Sequence, residues 1–190
     1  AGRPLHFASA EALLAAGGHR APITMNCSGK HAAMLATCLR RGWSLDDYLA
    51  FDHPLQAAIT ERVTELAGRV AHIGVDGCGA PAHVMRLSGL ARAFAVLAHE
   101  RGEVWSAMTQ HPELVGGDGT ETTAIMRAVP SLMAKAGAEG VFAAALPDGV
   151  AVAIKTSDGA SRAASVVLPA VLRAVGVEVA ADAIVEPILG

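Results

Sequence analysis

Aromatic side chains are scarce in this chain: four Phe, two Trp and one Tyr among 190 residues. Cysteine is scarcer still, with three residues spread widely. An odd, dispersed set of thiols is no disulfide framework, and a reducing cytoplasm is its natural compartment. Charge of one sign is also lacking. The formal net charge is −3, so no basic excess marks a nucleic-acid partner. Long apolar runs are missing too. The longest, around Val141–Leu146 and Val150–Ile154, are far too short to cross a bilayer as helices, and no secretory signal is present. There are no repeats and no low-complexity segments.

What the chain does have is apolar content. Hydrophobic residues make up 52% and charged residues 17%, the balance of a folded domain rather than a disordered one. The length suits one domain, or a core with a small subdomain. Alanine dominates the apolar set, which favours helices in close contact and says nothing about activity. The first residue is Ala1 rather than Met, which permits a processed, truncated or partial product.

Periodicity and punctuation predict a mostly helical first part, about 9–135, and a hairpin followed by helices over about 136–190. Ser9 is expected to cap a helix Ala10–Ala16 that Gly17-Gly18 stops. Pro22–Met25 reads as extended. A helix is expected from Gly29 to Arg41, ended by Gly42, and Ser44 with Asp46 and Asp47 reads as the start of another short one. Pro54 begins a helix to Ala67. Val70–Val75 reads as a strand and Gly77–Pro81 as a turn. Helices follow at Leu87–Glu100 and Glu103–Gln110. Gly116–Gly119 reads as a loop, and a helical segment from Thr123 is limited by Pro130. Gly140–Leu146 and Val150–Lys155 flank Pro147-Asp148-Gly149, a hairpin signal. A helix Ala160–Val175 and a short one after Ala181 complete the reading.

Two runs carry the chemistry. The first is Asn26-Cys27-Ser28-Gly29-Lys30-His31, the second Val75-Asp76-Gly77-Cys78-Gly79-Ala80-Pro81. Cys27 and Lys30 are three apart at the start of a predicted helix, so both lie on one side of its first turn. Two thiolates with one nitrogen or oxygen ligand would suit Zn²⁺ and leave a position for water or substrate. Lysine is an uncommon ligand because it must lose its proton, which a metal and a dry site can promote. His31 and Asp76 are candidates for a fourth ligand or for a partner behind the ligands. On spacing alone the plainer account, two unrelated buried cysteines, is stronger, since this is no CxxC pair. Cys38, among Leu35, Ala36 and Leu39, reads as a small buried hydrophobe.

Other motifs fall away. Gly29-Lys30 sits as in a phosphate-binding loop, but that pattern needs Gly at 24 and Ser or Thr at 31, where the chain has Thr24 and His31. Lys155-Thr156-Ser157 approaches the Lys-Thr-Gly strand of penicillin-recognising enzymes. Its partners, Ser-x-x-Lys and Ser-Asp-Asn, occur nowhere in these residues, so a strand-end lysine in solvent is the plainer account. The histidines other than His31 are scattered singly, with no HExxH, and His53 before Pro54 is explained by helix capping.

Taken in order, five segments form a set: Met25–Ala32, His53-Pro54-Leu55-Gln56, Val75–Pro81, Lys135–Val141 and Ile154–Gly159. This set resembles the asparaginase II family, the Rhizobium-type L-asparaginases, from about Arg3 to Gly176. The resemblance implies an α/β, serine-β-lactamase-like fold, here partial, with the N-terminal sheet segment absent. It implies hydrolysis of L-asparagine to aspartate and ammonia. It implies Zn²⁺ held by Cys27, Lys30 and Cys78, with Asp76 placed to contact the metal's water or the substrate and His31 in substrate binding. Lys155 would partner a catalytic serine as its base. A homodimer in the cytoplasm is the expected state. The family's Ser-x-x-Lys serine belongs to a segment ahead of Arg3, so this chain alone is expected to show little or no turnover. Gly117–Thr122 departs from the family's glycine loop, where an arginine is common. The rival expectations are an inactive remnant that binds zinc or an amino acid and, less favoured, an acyl-serine enzyme acting on β-lactams or peptides.

Overall fold

The computed structural model describes residues 4–161 and 164–179. The chain divides into two compact units, Ala1–Arg62 with His72–Val84, and Val63–Ala71 with Met85–Gly190. Among the described residues the architecture is mixed α/β, with eight α-helices and two small antiparallel sheets. No helix among them is long and apolar enough to cross a membrane.

The first unit opens with α1 (Phe7–Ala15). It starts earlier than the Ser9 cap predicts: His6 is the N-cap, and Ser9 Oγ bonds its ring at 2.8 Å. Pro22–Thr24 is a 3₁₀ turn rather than an extended segment, because the Thr24 hydroxyl closes a box on Ala21. Next comes α2 (Ser28–Arg41). Gly42 ends it in the left-handed region (φ 68°), its N–H and that of Trp43 turning back to the Cys38 and Leu39 carbonyls. His31 and Cys38, two turns apart on one face, are its buried residues, and Cys38 is indeed a fully buried small hydrophobe. The short helix expected after Ser44 is not formed; residues 45–53 are bends and turns. The side chains of His53 and Gln56 bind backbone carbonyls of this segment instead, at Ser44 and Tyr48, which competes with helical pairing. Pro54 then starts α3 (Pro54–Ala67) with the predicted bounds.

β1 (His72–Val75) and β2 (Pro81–Val84) form a two-stranded hairpin, with Val75 opposite Pro81 and His72 opposite Val84. The sequence reading stopped at the turn and missed β2. Pro81 can begin a strand because it heads an edge, where no ladder donor is needed. Between the strands, Asp76 N–H reaches the Ala80 carbonyl and Gly79 N–H the Asp76 carbonyl, with Gly79 at φ 85°.

In the second unit, α4 (Leu87–Glu100) and α5 (Glu103–Gln110) have the predicted bounds. Gly116 ends a short helix, α6 (Pro112–Gly116), instead of opening a loop. Thr120 caps α7 (Glu121–Ala128), its hydroxyl accepting from Thr123 N–H. The predicted hairpin is part of a three-stranded meander: β3 (Met133–Ala136), β4 (Val141–Ala145) and β5 (Ala151–Lys155), in that spatial order. β3 was missed because Leu132–Ala136 has no β-branched residue and gains its strand form by pairing with β4.

The central strand explains its own apolarity. Phe142 and Ala144 face a cluster with Ile125, Met126, Leu168 and Leu172, while Ala145 faces Met133 and Ala98. A strand covered on both sides reads as a continuous apolar run. α8 (Ala164–Ala174) packs on the first cluster. The short helix expected after Ala181 lies outside the described residues.

Candidate metal centre

The first unit brings together four of the six residues singled out in the sequence. Cys27 is the N-cap of α2, and Lys30 follows one turn later. Asp76 and Cys78 lie in the β1–β2 turn. The donor atoms of Cys27, Asp76 and Cys78 all lie within 4.8 Å of one another. Lys30 Nζ is 3.2 Å from Cys78 Sγ and 3.4 Å from Asp76 Oδ2. The Cys78 thiol faces the same Oδ2 at 3.4 Å. Asp76 Oδ1 is occupied by the Gly77 N–H at 2.8 Å, which fixes the carboxylate plane.

The electrostatics follow from this crowding. Hydrogen bonds from Gly77 N–H and from Cys78, helped by Lys30, hold the Asp76 carboxyl below the usual carboxylate range. It is therefore ionised at neutral pH. Burial pushes the Cys27 thiol up; Cys78 and Asp76 add to that and Lys30 opposes it. Burial works to lower Lys30, but its contact with Cys78 and the negative charge of Cys78, Cys27 and Asp76 outweigh it and raise its pKa. The Asp76 carboxylate thus has its counter-charge in the Lys30 ammonium.

The donor set also suits a metal. Soft sulfur with nitrogen or oxygen at short mutual distance is zinc chemistry rather than calcium or magnesium chemistry. His31 does not belong to the three-residue donor group. Its Nδ1 is taken by the Tyr48 hydroxyl at 2.6 Å, and its Nε2 is buried with no partner among the described residues. Burial, and then the Lys30 charge, lower its pKa.

Tyr48 is the functional candidate that sequence reasoning overlooked. It is the chain's sole tyrosine, and that rarity was the available signal. Its backbone carbonyl accepts from Gln56 Nε2 at 2.7 Å, and Gln56 is 2% exposed. His53 caps α3 as expected, Nδ1 accepting from Leu55 N–H, while Nε2–H donates to the Ser44 carbonyl. The His53–Gln56 motif therefore holds the Tyr48 segment as well as starting a helix.

Lys155 belongs to the second unit. It ends β5, is exposed, and its ammonium donates to the Thr156 carbonyl at 2.5 Å.

Compared with known families, residues 1–187 match the model of a family described as L-asparaginase II. None of the curated proteins matches the chain.

Proposed function

The chain belongs to the asparaginase II family, and from that premise we propose an L-asparaginase-like amidohydrolase that receives its amino-acid substrate beside a zinc site of Cys27, Lys30 and Cys78. The observation that carries this reading is the convergence of α2 and the β1–β2 turn on one cluster of sulfur, nitrogen and oxygen donors. When bound, zinc supplies positive charge and Lewis acidity for the substrate's charged end or a nearby polar group.

The protein's own residues supply the rest. Asp76 is ionised and fixed by Gly77, so its Oδ2 accepts a hydrogen bond from a water or from the substrate ammonium. His31 offers a ring nitrogen to the substrate. Lys155 takes the proton of a serine hydroxyl as the oxygen attacks the side-chain amide carbon, and returns it to the amide nitrogen as the C–N bond breaks. Ammonia then leaves, and water releases aspartate from the acyl-serine. No Ser-x-x-Lys pattern is among the 190 residues, so the chain by itself is expected to turn over asparagine very weakly or not at all. A serine-β-lactamase-like architecture, a homodimer and a cytoplasmic setting belong to the same reading. The antiparallel sheet apolar on both faces supports the first of these.

Metal analysis and ammonia release test it together. One zinc per chain, lost in Cys27→Ala, with L-asparagine bound but barely hydrolysed, is the expected result. A metal-free protein that ignores L-asparagine sinks the reading. Ammonia release at an ordinary enzymatic rate, abolished by Lys155→Ala, would show that the chain needs no further serine. Zinc and asparagine held without turnover, even with a Ser-x-x-Lys segment supplied, would favour the binding remnant.

A further inference from the structure

His31 is placed with unusual care for a residue that is not in the donor group. It sits in the first turn of α2 directly after Lys30, and is 9% exposed. Its ring meets that of Tyr48 edge-on, with centroids 5.8 Å apart and planes at 90°. Nδ1 and the phenol oxygen are 2.6 Å apart. Nε2 is buried and has no hydrogen-bond partner among the described residues.

The proton in the His31–Tyr48 bond can be assigned by counting. A phenol O–H is a good donor, and an imidazole nitrogen without a proton is a good acceptor. If Tyr48 donates to Nδ1, both groups are used and the ring proton sits on Nε2. If instead Nδ1–H donated, the hydroxyl proton would have no acceptor among the described residues, and Nε2 would be a buried lone pair. The first arrangement sets the stronger donor against the stronger acceptor. It also leaves one buried N–H that lacks an acceptor, and such groups in native proteins are rare enough to need an explanation. An acceptor oxygen brought by a ligand would satisfy this N–H.

The tyrosine is itself held. Gln56, at the start of α3, donates to its backbone carbonyl, and His53 secures the other end of the same segment at Ser44. Gln56 and His53 are 2% and 4% exposed. Two buried polar side chains thus set the position of one phenol.

We propose that Tyr48 is a positioning residue for His31: its hydroxyl donates to Nδ1, places the ring proton on Nε2 and readies that N–H for an acceptor oxygen of a bound amino acid. This rests on the reading of the cluster as an amino-acid site. It adds the donor's identity, its tautomer and the residue that enforces it.

The test uses the purified chain with ¹⁵N-labelled histidine and L-aspartate, the product, as a probe that is not consumed. Long-range ¹H–¹⁵N spectra should show His31 with its proton on Nε2, and the Nε2 resonance should move when L-aspartate is added. Tyr48→Phe should mix the tautomers and raise the Kd for L-aspartate about tenfold or more, with the circular dichroism spectrum unchanged. In a His31→Gln background, Tyr48→Phe should cost little, since the coupling has already been removed. A proton on Nδ1 in the native chain, or tautomer and Kd both unchanged in Tyr48→Phe, overturns the proposal. If the native chain binds no L-aspartate, the amino-acid reading of the cluster and the ligand half of this proposal both fall. The tautomer measurement then decides the role of Tyr48 alone.

Discussion

Replacing Lys30 with methionine separates two roles of that residue, because they have opposite signs. As a zinc ligand, Lys30 supplies one donor, and its loss weakens binding. As a stand-in cation, its ammonium competes with the metal for Cys78 and Asp76, and its loss strengthens binding. The sizes can be set from the structure. The ammonium lies 3.4 Å from the Asp76 carboxylate, and the two side chains are 42% and 43% exposed. A pair that open to water is worth about 1 kcal/mol or less, so relief of competition tightens zinc binding by at most about fivefold. Losing a partner that merely orients a ligand costs 10–100-fold in metal affinity as an order of magnitude. Losing the ligand itself should cost more than that, so the expected change in Lys30→Met is a weakening of more than about 100-fold. Competition against a colorimetric zinc chelator measures it, with Cys27→Ala as the reference for a lost ligand. Zinc binding that is unchanged or up to fivefold tighter would refute Lys30 as a ligand. The donor set would then be Cys27, Asp76 and Cys78.

The other predictions concern the scaffold. Phe142 is 1% exposed at the centre of the second unit's core, so Phe142→Ala should cost about 3–5 kcal/mol in urea unfolding; a loss under about 1 kcal/mol would contradict the packing described. Gly140 has φ 64°, and a Cβ there would overlap the Thr156 hydroxyl. Gly140→Ala should therefore lose more than the about 1–2 kcal/mol of a left-handed residue alone, read from the same unfolding curves. Burial holds the pKa of His83 below its ordinary 6.5. As pH falls the unfolded chain takes up this proton first, so the contribution is full above about 6.5 and is lost as pH drops toward the lower folded value. His83→Gln should flatten the part of a stability profile that lies below about pH 6.5; equal slopes in variant and native chain would count against it.

Much of the fold was legible where side chains mark boundaries. Pro54 opens α3, the αL Gly42 closes α2, and Pro147-Asp148-Gly149 turns β4 into β5, with Gly149 at φ 96°. The misses share a physical cause. β2, β3 and α6 are four or five residues long, too short to show a period, and Met133–Ala136 carries small or unbranched side chains that suit either a helix or a strand. Only pairing with β4 decides between them. The segment after Ser44 was misread for a different reason. Its apparent helix start is real chemistry, since Asp46 N–H does bond Ser44 Oγ at 3.3 Å, but His53 and Gln56 claim its carbonyls from outside.

The site was legible in halves. Cys27 and Lys30 could be placed on one helical turn from their spacing, but nothing local says that the β1–β2 turn folds onto that turn. The charges show why the halves belong together. Asp76 and Cys78 make the thiolate of Cys27 more costly, and the three donor atoms lie within 4.8 Å of one another. The Lys30 ammonium lies against Asp76 and Cys78 and places a positive charge there. The lysine that is the least usual member of a zinc site is thus also the charge partner of its carboxylate. Substituting it by a third cysteine or a histidine would give a better ligand on paper. It would also remove the competing ammonium, so such a variant should bind zinc at least as tightly as the native chain in the same chelator competition, and a large loss would count against a metal ligand at position 30.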